Sequence, residues 1–162
     1  MYRNILVPLG GSRLAESVLP SVSRIARDHG ANVTLLGVVH PFRGWLPQPP
    51  IGSFGPSGER RDAQLKRYLK GVAMFLDLRG VKAEPAMVSG LVSGKILAEA
   101  RELGCDLIAL FVHENASLGR GLLGTVADAA LGQSDPSLIL VFPESTRDRW
   151  EANSVIVLGA KG

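Results

Sequence analysis

Short strand-forming apolar runs alternate with longer amphipathic stretches along most of this chain, and that alternation restricts the fold more than any single motif. Tyr2–Leu9 is nearly all apolar from Ile5, the pattern of a strand covered on both faces. Gly10-Gly11-Ser12 breaks it, with Ser12 placed to cap the helix that follows. Leu14, Val18, Val22 and Ile25 recur at helical spacing, and Gly30 supplies the stop. Pro20 falls inside this pattern and predicts a kink or a loosened turn.

Val33–Val39 reads as a second buried strand. His40–Gly58 is rich in Pro and Gly and has no periodicity; a loop of that length in a compact domain suits a mobile segment or a cover over a site. A second helix is expected from about Glu59 to Leu78, with Leu65, Leu69, Val72 and Leu76 on its inner face and Gly80 beyond it. Val81–Val88 reads as a third strand, which Pro85 places near a sheet edge. Gly90 then turns into a helix whose inner face carries Ile96, Ala100 and Leu103, stopped by Gly104. Asp106–Phe111 is the fourth strand, and a helix with Leu122, Leu123, Val126 and Ala130 follows. Ser137–Phe142 is the fifth, and Val155–Leu158 reads as a short extra strand at an edge or an interface.

Strands separated by helices of this length imply right-handed crossovers and a parallel sheet. The expected fold is therefore α/β: a doubly wound open sheet of five parallel strands, helices on both faces, and an extra C-terminal edge strand. The expected organisation is one domain over residues 1–162, with a core at 2–143 and a tail at 144–162. In such sheets ligands sit at the carboxyl ends of the strands where the order reverses. The first and fourth strands are the expected neighbours there, so the loops that matter are Leu9–Ser12 and Phe111–Thr125.

Composition removes several function classes. The net charge is +3 and the pI about 9.4, but the basic residues are interleaved with acids, as in Glu59-Arg60-Arg61-Asp62, the mark of solvated faces. Aromatic residues are 6% of the chain and none interleaves with a basic run as a stacking platform for bases requires; no nucleic-acid partner is expected. No apolar run approaches the roughly 18 residues of a membrane span, so no membrane partner is expected either. Met1-Tyr2-Arg3-Asn4 leads straight into a strand, so no signal peptide is expected. Cys105, the single cysteine, excludes an internal disulfide and suits a reducing cytoplasm.

Gly119-Arg120-Gly121-Leu122-Leu123-Gly124 spells GxGxxG at a helix start, a pattern that in the right context cradles a pyrophosphate on bare amides. The context differs here. Val112–Leu118 separates the strand from the first glycine, and the motif belongs to the first strand–helix unit of a dinucleotide domain, not the fourth.

Taken together, several segments resemble the universal stress protein family. Asn4-Ile5-Leu6-Val7-Pro8 with Gly11-Ser12, then Leu14-Ala15-Glu16 and Leu19-Pro20, is similar to the family's opening strand and helix. Asp106-Leu107-Ile108, His113 and Leu122-Leu123-Gly124-Thr125-Val126-Ala127 are similar to the second half of its signature. The resemblance extends to about Phe142 and implies a five-stranded parallel sheet, a homodimer and, in one branch, ATP at the switch point. It implies nucleotide contacts from Pro8, Leu9, Gly10, Val38, His113, Arg120, Gly121, Gly124 and Thr125, with ATP or AMP as the ligand.

The same resemblance exposes three departures. The ATP branch carries Gly-x2-Gly-x9-Gly-Ser/Thr after the fourth strand; its glycine positions fall on Phe111, Glu114 and Gly124. Only Gly124 survives, beside Thr125. Phe111 fills space where backbone should approach ligand, and Glu114 places negative charge where phosphates should lie. The family's aspartate at the end of the first strand is Gly10 here. Arg120 is the one added cation.

Other chemistry is thinner. His29, His40 and His113 lack partners at metal-ligand spacing, so no metal and no cofactor are expected, and His29 suits a cation at a helix end. His113, Glu114 and Ser117 lack an oxyanion hole and an orienting group, which argues against a nucleotide hydrolase. Ser93 and Lys95 read as surface positions, and Cys105 as an inert, covered thiol. The expectation is a cytoplasmic, non-enzymatic stress-response or regulatory module with weak or no nucleotide binding, against the alternative of an ATP- or AMP-dependent switch. A homodimer is expected to pair along the fifth-strand edge, Ser137, Leu138, Ile139, Leu140 and Val141.

Overall fold

The computed structural model describes residues 1–13, 15–39, 58–111, 137–141 and 155–158. Strand β1 is Asn4–Pro8, followed by a 3-10 turn at Ala15–Val18 and helix α1 at Leu19–His29. Then come β2 (Asn32–Val39), α2 (Gly58–Asp77), β3 (Ala83–Ser89), α3 (Val92–Glu102), β4 (Leu107–Phe111), β5 (Ser137–Val141) and β6 (Val155–Leu158). The sheet order is β3-β2-β1-β4-β5-β6. Strands β1 to β4 pair in parallel, so the expected α/β fold with a parallel sheet holds. β5 also runs parallel to β4, while β6 lies antiparallel to β5.

Alternation along the strands sends side chains to two cores. Ile5, Val7, Leu35, Leu107 and their neighbours pack against α1 and α2. Leu6, Leu36 and Ile108 pack against Ile96, Leu97 and Ala100 of α3 on the other face. Both faces are thus covered, which is why these strands read as continuous apolar runs. Leu69 and Leu76 of α2 are fully buried, each contributing about 2 kcal/mol by removal from water. At the amino ends of the strands the Asp106 carboxylate accepts the backbone N–H of Arg3 at 2.8 Å and of Asn4 at 3.3 Å. That bond fixes β1 beside β4, the juxtaposition on which the switch point depends.

Several local expectations are corrected. Ser12 does not cap α1: Val18 holds that position, and the Ser12 carbonyl accepts the N–H of Ala15 in the preceding turn. Pro20 does not kink a helix. It lies in the first turn of α1, where a missing N–H costs nothing because no acceptor exists for it. Gly30 does end α1 in the left-handed conformation, at φ 65°. Leu103 follows α3 instead of sitting on its inner face and is 43% exposed; Leu97 is the buried residue. Pro85 lies on β3, an edge strand, as expected. The N–H of Tyr2 donates to Nδ1 of His29 at 3.3 Å and the two rings stand 5.3 Å apart, so His29, in the last turn of α1, packs against the start of β1.

The outer side of β5, expected as the homodimer seam, carries β6 of the same chain. Leu138 pairs with Leu158, Ile139 with Val157, Leu140 with Ile156 and Val141 with Val155. The sheet ends one strand further out than the seam anticipated.

Candidate functional site

The carboxyl ends of β1 and β2 open into a crevice beside the first turns of α2. Pro8, the last residue of β1, pairs in register with Leu36. The N–H of Leu9 still donates to the Leu36 carbonyl at 2.9 Å, and its side chain is buried in the core. Leu9 can therefore offer a ligand only its carbonyl. Gly10 is exposed, and a Cβ built there meets none of the described residues within 4 Å. Among the described residues nothing fills the position of the family aspartate.

Gly10, Gly11 and Val39 form the floor of a cavity of about 350 Å3, with Arg61, Asp62 and Tyr68 on its α2 wall. Val38, expected as a contact, packs its side chain into the opposite, α3-side core; Val39 is the β2 residue that lines the crevice. Gln64 completes the polar wall. These α2 residues were not among the expected contacts. The signal was present: Arg61, Gln64 and Tyr68 sit three and four residues apart and flank the apolar stripe of Leu65 and Leu69.

The phenol of Tyr68 donates to Oε1 of Glu16 at 2.8 Å. Burial first, then that carboxylate, pushes the phenol well above its ordinary range, so it stays a neutral donor. Among the described lining residues Arg61 and Asp62 carry opposite charges, leaving no surplus cation for a polyphosphate. At the end of β4, Phe111 is half-buried and packs against the α1–α2 core, filling a place where the ATP-binding pattern has glycine. His113, Arg120, Gly121, Gly124 and Thr125 lie outside the described residues.

A larger cavity of about 520 Å3 lies at the opposite, amino ends of the strands, between Asn4, Asn32, Asp77 and Lys82. Of its two carboxylates, Asp77 and Glu84, the first is engaged in the fold, since Oδ1 of Asp77 accepts the N–H of Ala83 at 3.1 Å, and the strand ends that collect ligands in doubly wound sheets are the other ones. Among the described residues no group of His, Cys, Asp and Glu is arranged to hold a metal, and no helix is long and apolar enough to cross a membrane. Ser93 and Lys95, read as surface positions, are half-buried; the Lys95 stem crosses Gly90 so closely that a Cβ there would fall 2.6 Å from Cγ.

The family model described as the universal stress protein family matches residues 1–141. The chain belongs to that family. A universal stress protein of Methanocaldococcus jannaschii is 27% identical over 143 residues, covering 87% of this chain and 82% of its relative. A solved universal stress family protein from Burkholderia pseudomallei is 25% identical with a TM-score of 0.62, covering 86% of this chain and 96% of the other. A universal stress protein from Archaeoglobus fulgidus, solved in complex with dAMP, shares the fold with a TM-score of 0.62 at 18% identity, over 86% of this chain and 97% of the other.

Proposed function

We propose that this universal stress protein is a regulatory, stress-response module that works by pairing with a second copy of itself, with weak or no nucleotide binding. The observation that carries the reading is Gly10: the β1 end holds no side chain where the family's ATP branch has a carboxylate, and none of the described residues reaches within 4 Å of a Cβ built there. Phe111 supports it from β4, placing a ring where close backbone approach is needed. In this reading the functional unit is a single cytoplasmic domain over residues 1–162, with a core at 2–143 and a tail at 144–162. Its architecture is the doubly wound sheet of five parallel strands with a C-terminal edge strand. No residue is assigned a catalytic role.

The dAMP complex of the Archaeoglobus fulgidus protein favours a second reading, a nucleotide-dependent switch. In that case ATP or AMP would use Pro8, Leu9, Gly10 and the crevice lined by Val39 and Arg61. Calorimetric titration of the full chain with ATP and with AMP separates the two. Dissociation constants above about 1 mM, worth only about 4 kcal/mol, are expected. Saturable micromolar binding would reject the first reading in favour of the switch.

A further inference from the structure

A second groove, of about 550 Å3, shares no lining residue with the crevice at the strand ends. Leu19, Ser23 and Arg27 stand four residues apart on α1 and form one wall. Phe75, near the end of α2, and Arg79, four residues on, form the facing wall. The volume falls within the roughly 300–1,000 Å3 of small-molecule sites. The body of the groove is apolar, with Leu19 and Pro20 from α1 and the Phe75 ring, 49% exposed, from α2.

Both cations of the groove are held by something other than a carboxylate. The Arg79 guanidinium carbon lies 3.7 Å from the centroid of the Phe75 ring, a cation–π contact that occupies its face and leaves its in-plane N–H donors available. Nε of Arg27 donates to the Ser23 carbonyl at 3.3 Å, which leaves the two terminal nitrogens. Among the described residues neither guanidinium pairs with an acid. The one carboxylate on the groove, Glu16, accepts the Tyr68 phenol at 2.8 Å.

We infer that this groove is a binding site for a small aromatic monocarboxylate, whose ring packs on Phe75 and Leu19 and whose carboxylate meets Arg27 and Arg79. The inference needs neither nucleotide binding nor pairing of copies. Two guanidinium groups against Glu16 leave a surplus of one positive charge among the described lining residues, which suits a monoanion. A planar carboxylate also matches the fork of a guanidinium, with two parallel hydrogen bonds. The ring is called for by Phe75, since aromatic pairs add to area burial through offset or edge-on packing. Because each arginine already has a contact that restrains it, less side-chain freedom is lost when the anion arrives than at two loose surface arginines.

Calorimetric titration of the full chain with 2-naphthoate tests this, beside naphthalene-2-carboxamide (the ring without the charge) and acetate (the charge without the ring). Naphthoate is expected to saturate with a dissociation constant below about 1 mM, and each comparator to bind at least about tenfold more weakly. An equally tight carboxamide would overturn the role of the arginines, and equally tight acetate that of the ring. No binding of naphthoate up to about 5 mM overturns the site. Arg27→Gln with Arg79→Gln should weaken naphthoate about tenfold, while Lys70→Gln, an exposed α2 cation outside the groove, should not. Equal losses in the two would mean unspecific attraction and overturn the inference. Amide chemical shifts in the parent locate the ligand without any substitution. Changes are expected around Ser23, Arg27 and Phe75, and changes confined to Gly10, Gly11 and Arg61 would place it in the crevice and overturn the assignment.

Discussion

The phenolic oxygen of Tyr68 lies 2.8 Å from Oε1 of Glu16, so one hydrogen bond ties α2 to the 3-10 turn behind β1. Tyr68 stands on the α2 wall of the crevice that the β1 and β2 ends open. Removing the donor with Tyr68→Phe leaves a half-buried carboxylate without that partner and should cost about 1–2 kcal/mol, since bonds to charged groups exceed neutral ones but solvent still reaches this pair. Urea unfolding of Tyr68→Phe, Glu16→Gln and the double variant gives the coupling. Additive losses would mean that the bond contributes nothing of its own.

Gly10→Asp should be tolerated by the fold and should improve nucleotide binding. An added Cβ meets none of the described residues within 4 Å, so the melting temperature should stay within about 2 °C of the parent. A carboxylate hydrogen bond to a nucleotide is worth about 1.5 kcal/mol, roughly tenfold in affinity. Titration with AMP reads the gain. An unchanged affinity would show that the deficit lies elsewhere, and Phe111→Gly would then be the next position to examine.

What the sequence carried was periodicity, and periodicity reports which face is buried. It placed α2 within a residue or two and put Leu69 and Leu76 on the inner face, where they are fully buried. It did not carry relationships between elements distant in the chain. Arg61 and Gln64 look like solvated helix positions until α2 is laid beside Gly10 and Gly11. Pro20 reads as a kink or a loosened turn because hydrophobic spacing cannot tell a 3-10 turn from the α-helical turn after it. The pairing of β6 with β5 was equally silent, since an apolar tetrapeptide suits either an edge or an interface.

Gly37 illustrates the same limit and yields a stability prediction. It reads as one residue of a buried strand, yet a Cβ there would lie 2.9 Å from Cδ1 of Leu69 and 3.0 Å from Cδ2 of Leu65. Helix α2 rests directly on β2 at this point. Gly37→Ala must therefore displace the leucine ends, and Gly37→Val must displace the helix. Overpacking of this kind costs about 1–3 kcal/mol. Thermal unfolding should show Val more damaging than Ala, with the loss from Gly37→Ala reduced when Leu65 is shortened to Ala.

Alkaline pH should weaken the fold through two groups that prefer their protonated forms when folded. Burial, aided by the charge of Asp106, pushes the Cys105 thiol up to about 11 from an ordinary value near 9. Tyr68 is raised above its ordinary value of 10 by burial and by Glu16. The folded chain thus holds these protons more tightly than the unfolded chain. Their stabilisation is complete below about pH 9, falls as the pH rises from 9 to 11 for Cys105, and falls further above 10 for Tyr68. Urea unfolding at pH 8, 9.5 and 10.5 should show a progressive loss, shallower in Cys105→Ala between pH 8 and 10.5. Equal slopes in the two proteins would remove Cys105 as a cause. The same burial should make the native thiol slow to alkylate at pH 8, with rapid labelling only after denaturation.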